Sequence, residues 1–136
     1  MEPHIYKLNE TVNEFLEKFI KSDLKFLSFS EIYKLSLDWL KAYPNNELAA
    51  VYAFFDLENR LQYIGSTTVS IGARFKEYFK KDKTDRNKCI KLEKFNVVES
   101  ISTLGLIEDN KFLAPAIESY LIYKLNPPIN KKLKNL

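Results

Sequence analysis

The sequence predicts an α+β fold: a small three-stranded antiparallel sheet flanked by helices, preceded by a helical N-terminal extension. Three observations predict it. Apolar residues recur at helical spacing ahead of the breaker Tyr43-Pro44-Asn45-Asn46, and the period switches to that of strands after it. A further helical stretch then lies between Pro115 and Pro127-Pro128.

In Thr11–Ile20, Val12, Phe15, Leu16 and Phe19 share one helix face; in Ser30–Leu40, Ile32, Leu35 and Trp39 do the same, and Ser30 offers an N-cap oxygen. Ala49–Asp56 is a β-branched and aromatic run suited to a buried strand. Leu57-Glu58-Asn59-Arg60 is a polar turn, and Leu61–Gly65 is the returning strand of a hairpin. Ser70–Lys81 reads as a helix, with Ile71, Phe75 and Phe79 at i, i+4 and i+8. Asn87–Lys94 reads as another short helix and Val97–Leu104 as the third strand. Ala114–Leu125 is helical, with Pro115 in its first turn, where proline's missing N–H is tolerated. Asn126-Pro127-Pro128 ends it. The breaker thus divides an extension, residues 1–46, from a domain at 47–136.

A chain of 136 residues suits one domain with a single core, and 46% hydrophobic with 14% aromatic residues argues against disorder. The longest uninterrupted apolar run, Leu48–Phe55, is eight residues, far short of a membrane span. Met1–Ile20 carries acidic residues and no separate apolar core, so it does not read as a signal peptide. A single cysteine, Cys89, leaves no internal disulfide and no cysteine-rich zinc site. A cytoplasmic protein is expected, or a nuclear one if the source is eukaryotic.

Charge is unevenly placed. Arg74–Lys94 holds nine Lys/Arg against four Asp/Glu, and Lys124–Leu136 holds four lysines and no acid, whereas the first 48 residues carry six basic against eight acidic. Two basic regions on an otherwise neutral-to-acidic chain suit a polyanion such as nucleic acid, although solvated helix faces also look like this.

Several side chains could carry chemistry. Tyr52 and Tyr63 lie on the two strands of the hairpin, in positions that can put both phenols on one side; strand packing alone also explains them. Arg74 and Tyr78 are i, i+4 on a helix that starts just after Gly65-Ser66-Thr67-Thr68, where a guanidinium fork suits phosphate oxygens. Glu118 is the only acidic residue between Lys111 and Leu136. A lone carboxylate there can hold magnesium with substrate oxygens, or simply complement a helix dipole. Asn130 follows a stiff Pro-Pro pair and could present an amide to a phosphate, or serve the turn alone.

Taken in order, these residues resemble the GIY-YIG nuclease superfamily from about Ala49 to Asn130. The first motif stands as Ala50-Val51-Tyr52, with alanine in place of the usual glycine, and the second is intact as Tyr63-Ile64-Gly65. Arg74 matches the family's helical arginine, followed by Phe75-Lys76-Glu77-Tyr78-Phe79. Glu118 matches the family glutamate in "APAIESYLIYKLNPPIN", and Asn130 its closing asparagine. The Glu-to-Asn spacing resembles the N-terminal nuclease domain of bacterial excision repair, and Ser66, where some members have lysine, resembles phage-type homing endonuclease domains. The Gly65–Arg74 interval looks about one residue longer than in some relatives.

The resemblance implies a metal-dependent DNA endonuclease. Glu118 would hold one divalent metal, Mg2+ first and Mn2+ as the alternative. Arg74 would neutralise non-bridging oxygens, and Tyr78, Gly65, Ser66 and Asn130 would position phosphate and water. Tyr52 is taken as the proton acceptor with Tyr63 as its partner, though the sequence does not separate the two. Lys76, Lys80, Lys81, Lys131 and Lys132 would contact DNA. The extension would serve a homodimer or a protein partner. The competing reading is a nucleic-acid-binding or protein-docking module on the same fold without turnover.

Overall fold

The computed structural model describes residues 3–19, 27–85 and 88–134. In chain order the helices are α1 (Pro3–Phe19), α2 (Ile71–Tyr78), α3 (Ala114–Leu125) and α4 (Pro128–Lys134). The strands are β1 (Tyr33–Lys34), β2 (Ala49–Phe55), β3 (Leu61–Thr67), β4 (Phe79–Lys81), β5 (Cys89–Lys91) and β6 (Ser100–Leu106), with 3₁₀ turns at Glu93–Phe95 and Glu108–Leu113. The three expected strands pair antiparallel with β2 in the centre, and β1 adds a short fourth, giving the order β1-β6-β2-β3. β4 and β5 form a separate two-stranded ribbon.

All seven residues of β2 are buried, because helices or loops cover both faces of the sheet. This explains why the segment is uniformly apolar rather than alternating. One face carries Val51, Ala53 and Phe55 and packs on Leu8, Val12 and Leu16 of α1 and Ile117 and Leu121 of α3. The other carries Ala50, Tyr52 and Phe54 against Ile71, Phe75 and Tyr78 of α2, with Phe79 and Phe95. The N-terminal segment therefore shares the core of the sheet.

The helix expected over Thr11–Ile20 forms and reaches back to Pro3; Ile20 lies outside the described residues. The helix expected over Ser30–Leu40 does not form. Its residues take the open edge of β6 instead: Tyr33 pairs with Ile101, the Ser30 N–H donates to the Thr103 carbonyl (2.7 Å), and the Leu35 N–H donates to the Glu99 carbonyl (3.0 Å). The Ser30 hydroxyl, in place of capping a helix, accepts from the Thr103 N–H at 3.0 Å. Sheet hydrogen bonding has outweighed a weak local helical period.

α2 starts as expected, with the Ser70 hydroxyl accepting from the Ala73 N–H (3.2 Å), but stops at Tyr78 rather than Lys81. Phe79 turns extended to pair with Lys91, and Lys80 pairs with Ile90. The expected short helix at Asn87–Lys94 is likewise replaced by β5 and the following 3₁₀ turn; Asn87 itself lies outside the described residues. Ribbon pairing is a choice that a lysine-rich stretch does not advertise.

α3 has the bounds its prolines dictate, and Asn126 leaves it in the left-handed region (φ 46°). The chain after Pro127 then re-enters a helix, α4, that the Pro-Pro pair does not suggest. Pro128 is its first residue, where the fixed φ is helical already.

Candidate active site

The site is built on the α2 side of the β2–β3 hairpin and completed from α3 and α4. In the ladder Tyr52 lies opposite Gly65, and Tyr63 lies opposite Phe54. This puts the Tyr52 and Tyr63 rings on one face, with centroids 6.4 Å apart, as the sequence suggests. Gly65 is required by close approach. A Cβ there would sit 2.6 Å from the Tyr52 ring carbons. Gly65→Ala is therefore expected to displace the Tyr52 ring and destabilise the fold by about 1–3 kcal/mol, as overpacking does. Urea unfolding of the purified variant measures it.

The Tyr52 hydroxyl is 2.9 Å from that of Tyr78, one ring from β2 and one from α2. Arg74 stands one turn earlier on α2, and the Tyr78 phenol is the main reason its guanidinium is held even more firmly charged. Behind the tyrosines stands a wall of aromatic rings. Phe54 meets Tyr52, Tyr63 and Tyr78, while Phe95 packs 4.9 Å from both Tyr63 and Tyr78. Burial is what sets the phenol chemistry. Tyr52, 1% exposed, has its pKa driven well above the ordinary phenol value by burial first and by Tyr78 second, with Arg74 opposing. Tyr63 is half-buried and pushed up to about 12, by burial first, then by Tyr78 and by the charge of Glu118, with Arg74 again opposing. Tyr63 thus feels both the arginine of α2 and the carboxylate of α3.

Glu118 projects from α3 beside the buried Ile117 and Leu121, and is itself only partly covered. The Ser66 hydroxyl on β3 donates to its Oε1. Asn130, on α4, brackets one peptide of β3: its Oδ1 accepts from the Ile64 N–H (2.8 Å) and its Nδ2 donates to the Ile64 carbonyl (2.9 Å). The amide expected to serve a phosphate thus commits its oxygen and one of its two N–H donors to β3. It covers the outer edge of β3 as a neighbouring strand would and fixes the strand carrying Tyr63, Gly65 and Ser66.

Lys76, Lys80, Lys81, Lys131 and Lys132 are all exposed, and among the described residues none forms an ion pair. One cation escapes the sequence reading. The Lys94 ammonium lies 5.8 Å from the Tyr78 ring centre and 5.1 Å from that of Phe95. Its signal, a lysine one residue before an aromatic, is too common to single out. A groove of about 870 Å³ between the Glu93–Phe95 turn and α4 begins at this lysine.

Among the described residues no three His, Cys, Asp or Glu side chains cluster to hold a metal. A partly exposed carboxylate, with one oxygen steadied by a serine hydroxyl, still fits a hard cation that keeps most of its waters and shares substrate oxygens, as magnesium does. Among the described residues no helix is long and apolar enough to cross a membrane.

Arg74, Glu118 and the phenols of Tyr52, Tyr63 and Tyr78 thus come from α2, α3 and the β2–β3 hairpin to one side of β3. The GIY-YIG catalytic domain model matches residues 48–134, and the chain belongs to that family. Its members are typically endonucleases, so hydrolase activity is the family-level assignment. Neither the curated proteins nor the solved structures yield a match.

Proposed function

We propose that the protein is a metal-dependent DNA endonuclease in which Arg74, Glu118 and the tyrosines Tyr52, Tyr63 and Tyr78 form one active centre. The observation that carries this reading is that β3 presents Tyr63 beside the Tyr52 ring and, three residues on, Ser66, whose hydroxyl donates to Glu118. A divalent cation on Glu118 would supply Lewis-acid stabilisation of charge on the reacting phosphate. The chain's own groups do the rest. Arg74 offers a fixed fork to the non-bridging oxygens, held in place by Tyr78. Ser66 orients the Glu118 carboxylate, and Asn130 keeps the strand beneath it straight.

Of the two candidate proton acceptors, Tyr63 is the better placed. A base must reach the proton it takes, and the Tyr52 hydroxyl is buried and already engaged with Tyr78. Tyr63 is the more open ring, and neutralising Glu118 removes one of the charges that hold it protonated. The direction of the shift sets the pH dependence. A phenol pushed up to about 12 is protonated at neutral pH, so the competent phenolate is a minority that grows roughly tenfold per pH unit. Cleavage at fixed metal should rise with that slope from about pH 6.5 to 9, and Tyr63→Phe should flatten it. An unchanged profile in the variant returns the role to Tyr52.

The exposed Lys76, Lys80, Lys81, Lys131 and Lys132 supply salt-dependent affinity for the DNA backbone. The direct test is incubation of purified protein with supercoiled plasmid, with and without magnesium. Metal-dependent nicking or linearisation is expected; no cleavage of plasmid, single strands or branched DNA would leave a binding module on the same fold. Ser66→Ala is expected to raise the magnesium concentration for half-maximal cleavage about 10–100-fold, the usual cost of losing a group that orients a metal carboxylate.

A further inference from the structure

A second basic site lies on the other flank of α2. Arg74 and Tyr78 border the buried stripe of Ile71 and Phe75 on one side, while Lys76 and Phe79 border it on the other. There a cleft of about 320 Å³ is lined by Trp39 and Tyr43 from the N-terminal segment and by Lys76, Phe79, Lys80 and Lys81 from α2 and β4. Its walls are held by ring contacts. Trp39 meets Tyr43 edge-on at 6.3 Å, and Tyr43 meets Phe75 at 4.9 Å. Two features bear on what the cleft takes. The three lysines are exposed and form no ion pair among the described residues, so three positive charges line one cleft. In addition, the indole N–H of Trp39, on a side chain only 8% exposed, has no hydrogen-bond partner among the described residues. A buried donor without an acceptor is costly to keep.

We propose that this cleft binds a backbone phosphate of the substrate DNA away from the phosphate being cut, gripping it with Lys76, Lys80 and Lys81 over the Trp39–Tyr43 floor. The inference rests on the nuclease reading for its substrate, but it concerns binding rather than turnover. It gives the N-terminal segment a task. With only six basic against eight acidic residues before Ala49, that segment is no DNA reader by charge. What it contributes is an aromatic floor that turns three surface lysines into a shaped anion site. DNA held on both flanks of α2 would lie across the helix that carries Arg74, so the scissile phosphate is presented in one orientation.

The chain's single tryptophan is Trp39, so the cleft has its own reporter. Wild-type protein in EDTA would be titrated with a short duplex, following both tryptophan emission and the anisotropy of labelled DNA over a range of salt. A saturable change in Trp39 emission is expected, with the same midpoint as the anisotropy. In Lys76→Ala/Lys80→Ala/Lys81→Ala the emission change should be lost, and the slope of log K against log[salt] should fall by about 0.9, one phosphate contact. Trp39→Phe, which keeps an aromatic ring but shrinks the floor, should weaken binding in the anisotropy assay. DNA binding with silent Trp39 emission and an unchanged salt slope in the triple variant would overturn the proposal, as would an emission response to inorganic phosphate but none to duplex. A duplex response at Trp39 in a protein that cuts no DNA would sink the nuclease reading and leave the cleft standing.

Discussion

Glu118→Ala is expected to abolish plasmid cleavage while leaving DNA binding within about twofold of wild type. Glu118 is the only acidic side chain from α3 onward and the one carboxylate of the proposed centre, so its loss would remove the group proposed to hold the cation. Lewis-acid stabilisation is worth several kcal/mol, so the rate should drop by at least about 10³-fold. Affinity should survive because it comes from exposed lysines elsewhere. Glu118→Gln sharpens the test, since the amide oxygen can still accept from Ser66 and only the charge is lost. Both variants should be dead in a gel-based nicking assay and normal in an anisotropy titration. Cleavage by the glutamine variant would show that the carboxylate is scaffolding, and cleavage by both would move the centre elsewhere.

Phe54→Ala is expected to be the most damaging change to stability. The side chain is fully buried and meets six aromatic rings, those of Tyr52, Tyr63, Phe75, Tyr78, Phe79 and Phe95. Truncating a buried phenylalanine typically costs about 3–5 kcal/mol, a large share of the roughly 5–15 kcal/mol that holds a domain together. The variant should unfold at much lower urea than wild type. Phe54→Leu should recover most of the stability but less of the cleavage rate, because a flexible aliphatic no longer fixes the three phenols. Equal recovery of both would mean that the wall does nothing beyond filling volume.

How much of this is legible in the sequence depends on how local the cause is. α3 is bounded by Pro115 and by Asn126 with Pro127, whose effects act within a few residues, and it forms where they place it. The hairpin of β2 and β3 is equally local, so the same-face placement of Tyr52 and Tyr63 follows from strand alternation. Arg74 beside Tyr78 is a one-turn relation on α2. What fails is what another part of the chain decides. Ser30–Leu40 has a helical period but yields to the edge of β6, and Phe79 yields to β5. Pro128 opens a new helix directly after one has ended, a use of the ring that composition does not distinguish from a stop. Within the site, the Ser66–Glu118 and Asn130–Ile64 hydrogen bonds and the Trp39 cleft are invisible in the sequence for the same reason: each joins elements far apart in it.

Those long reaches tie the proposed centre to the completed fold. The Ser66–Glu118 contact spans 52 residues and the Asn130–Ile64 clamp spans 66. Contacts at such separation must overcome loop-closure entropy before they are rewarded, and they set the pace of folding. The hairpin with its tyrosines and the basic helix can assemble early, but the carboxylate arrives only when α3 docks, and β3 is pinned only when α4 closes over its edge. The proposed centre is therefore complete only when both of these long-range contacts are made, so its integrity reports on the whole fold.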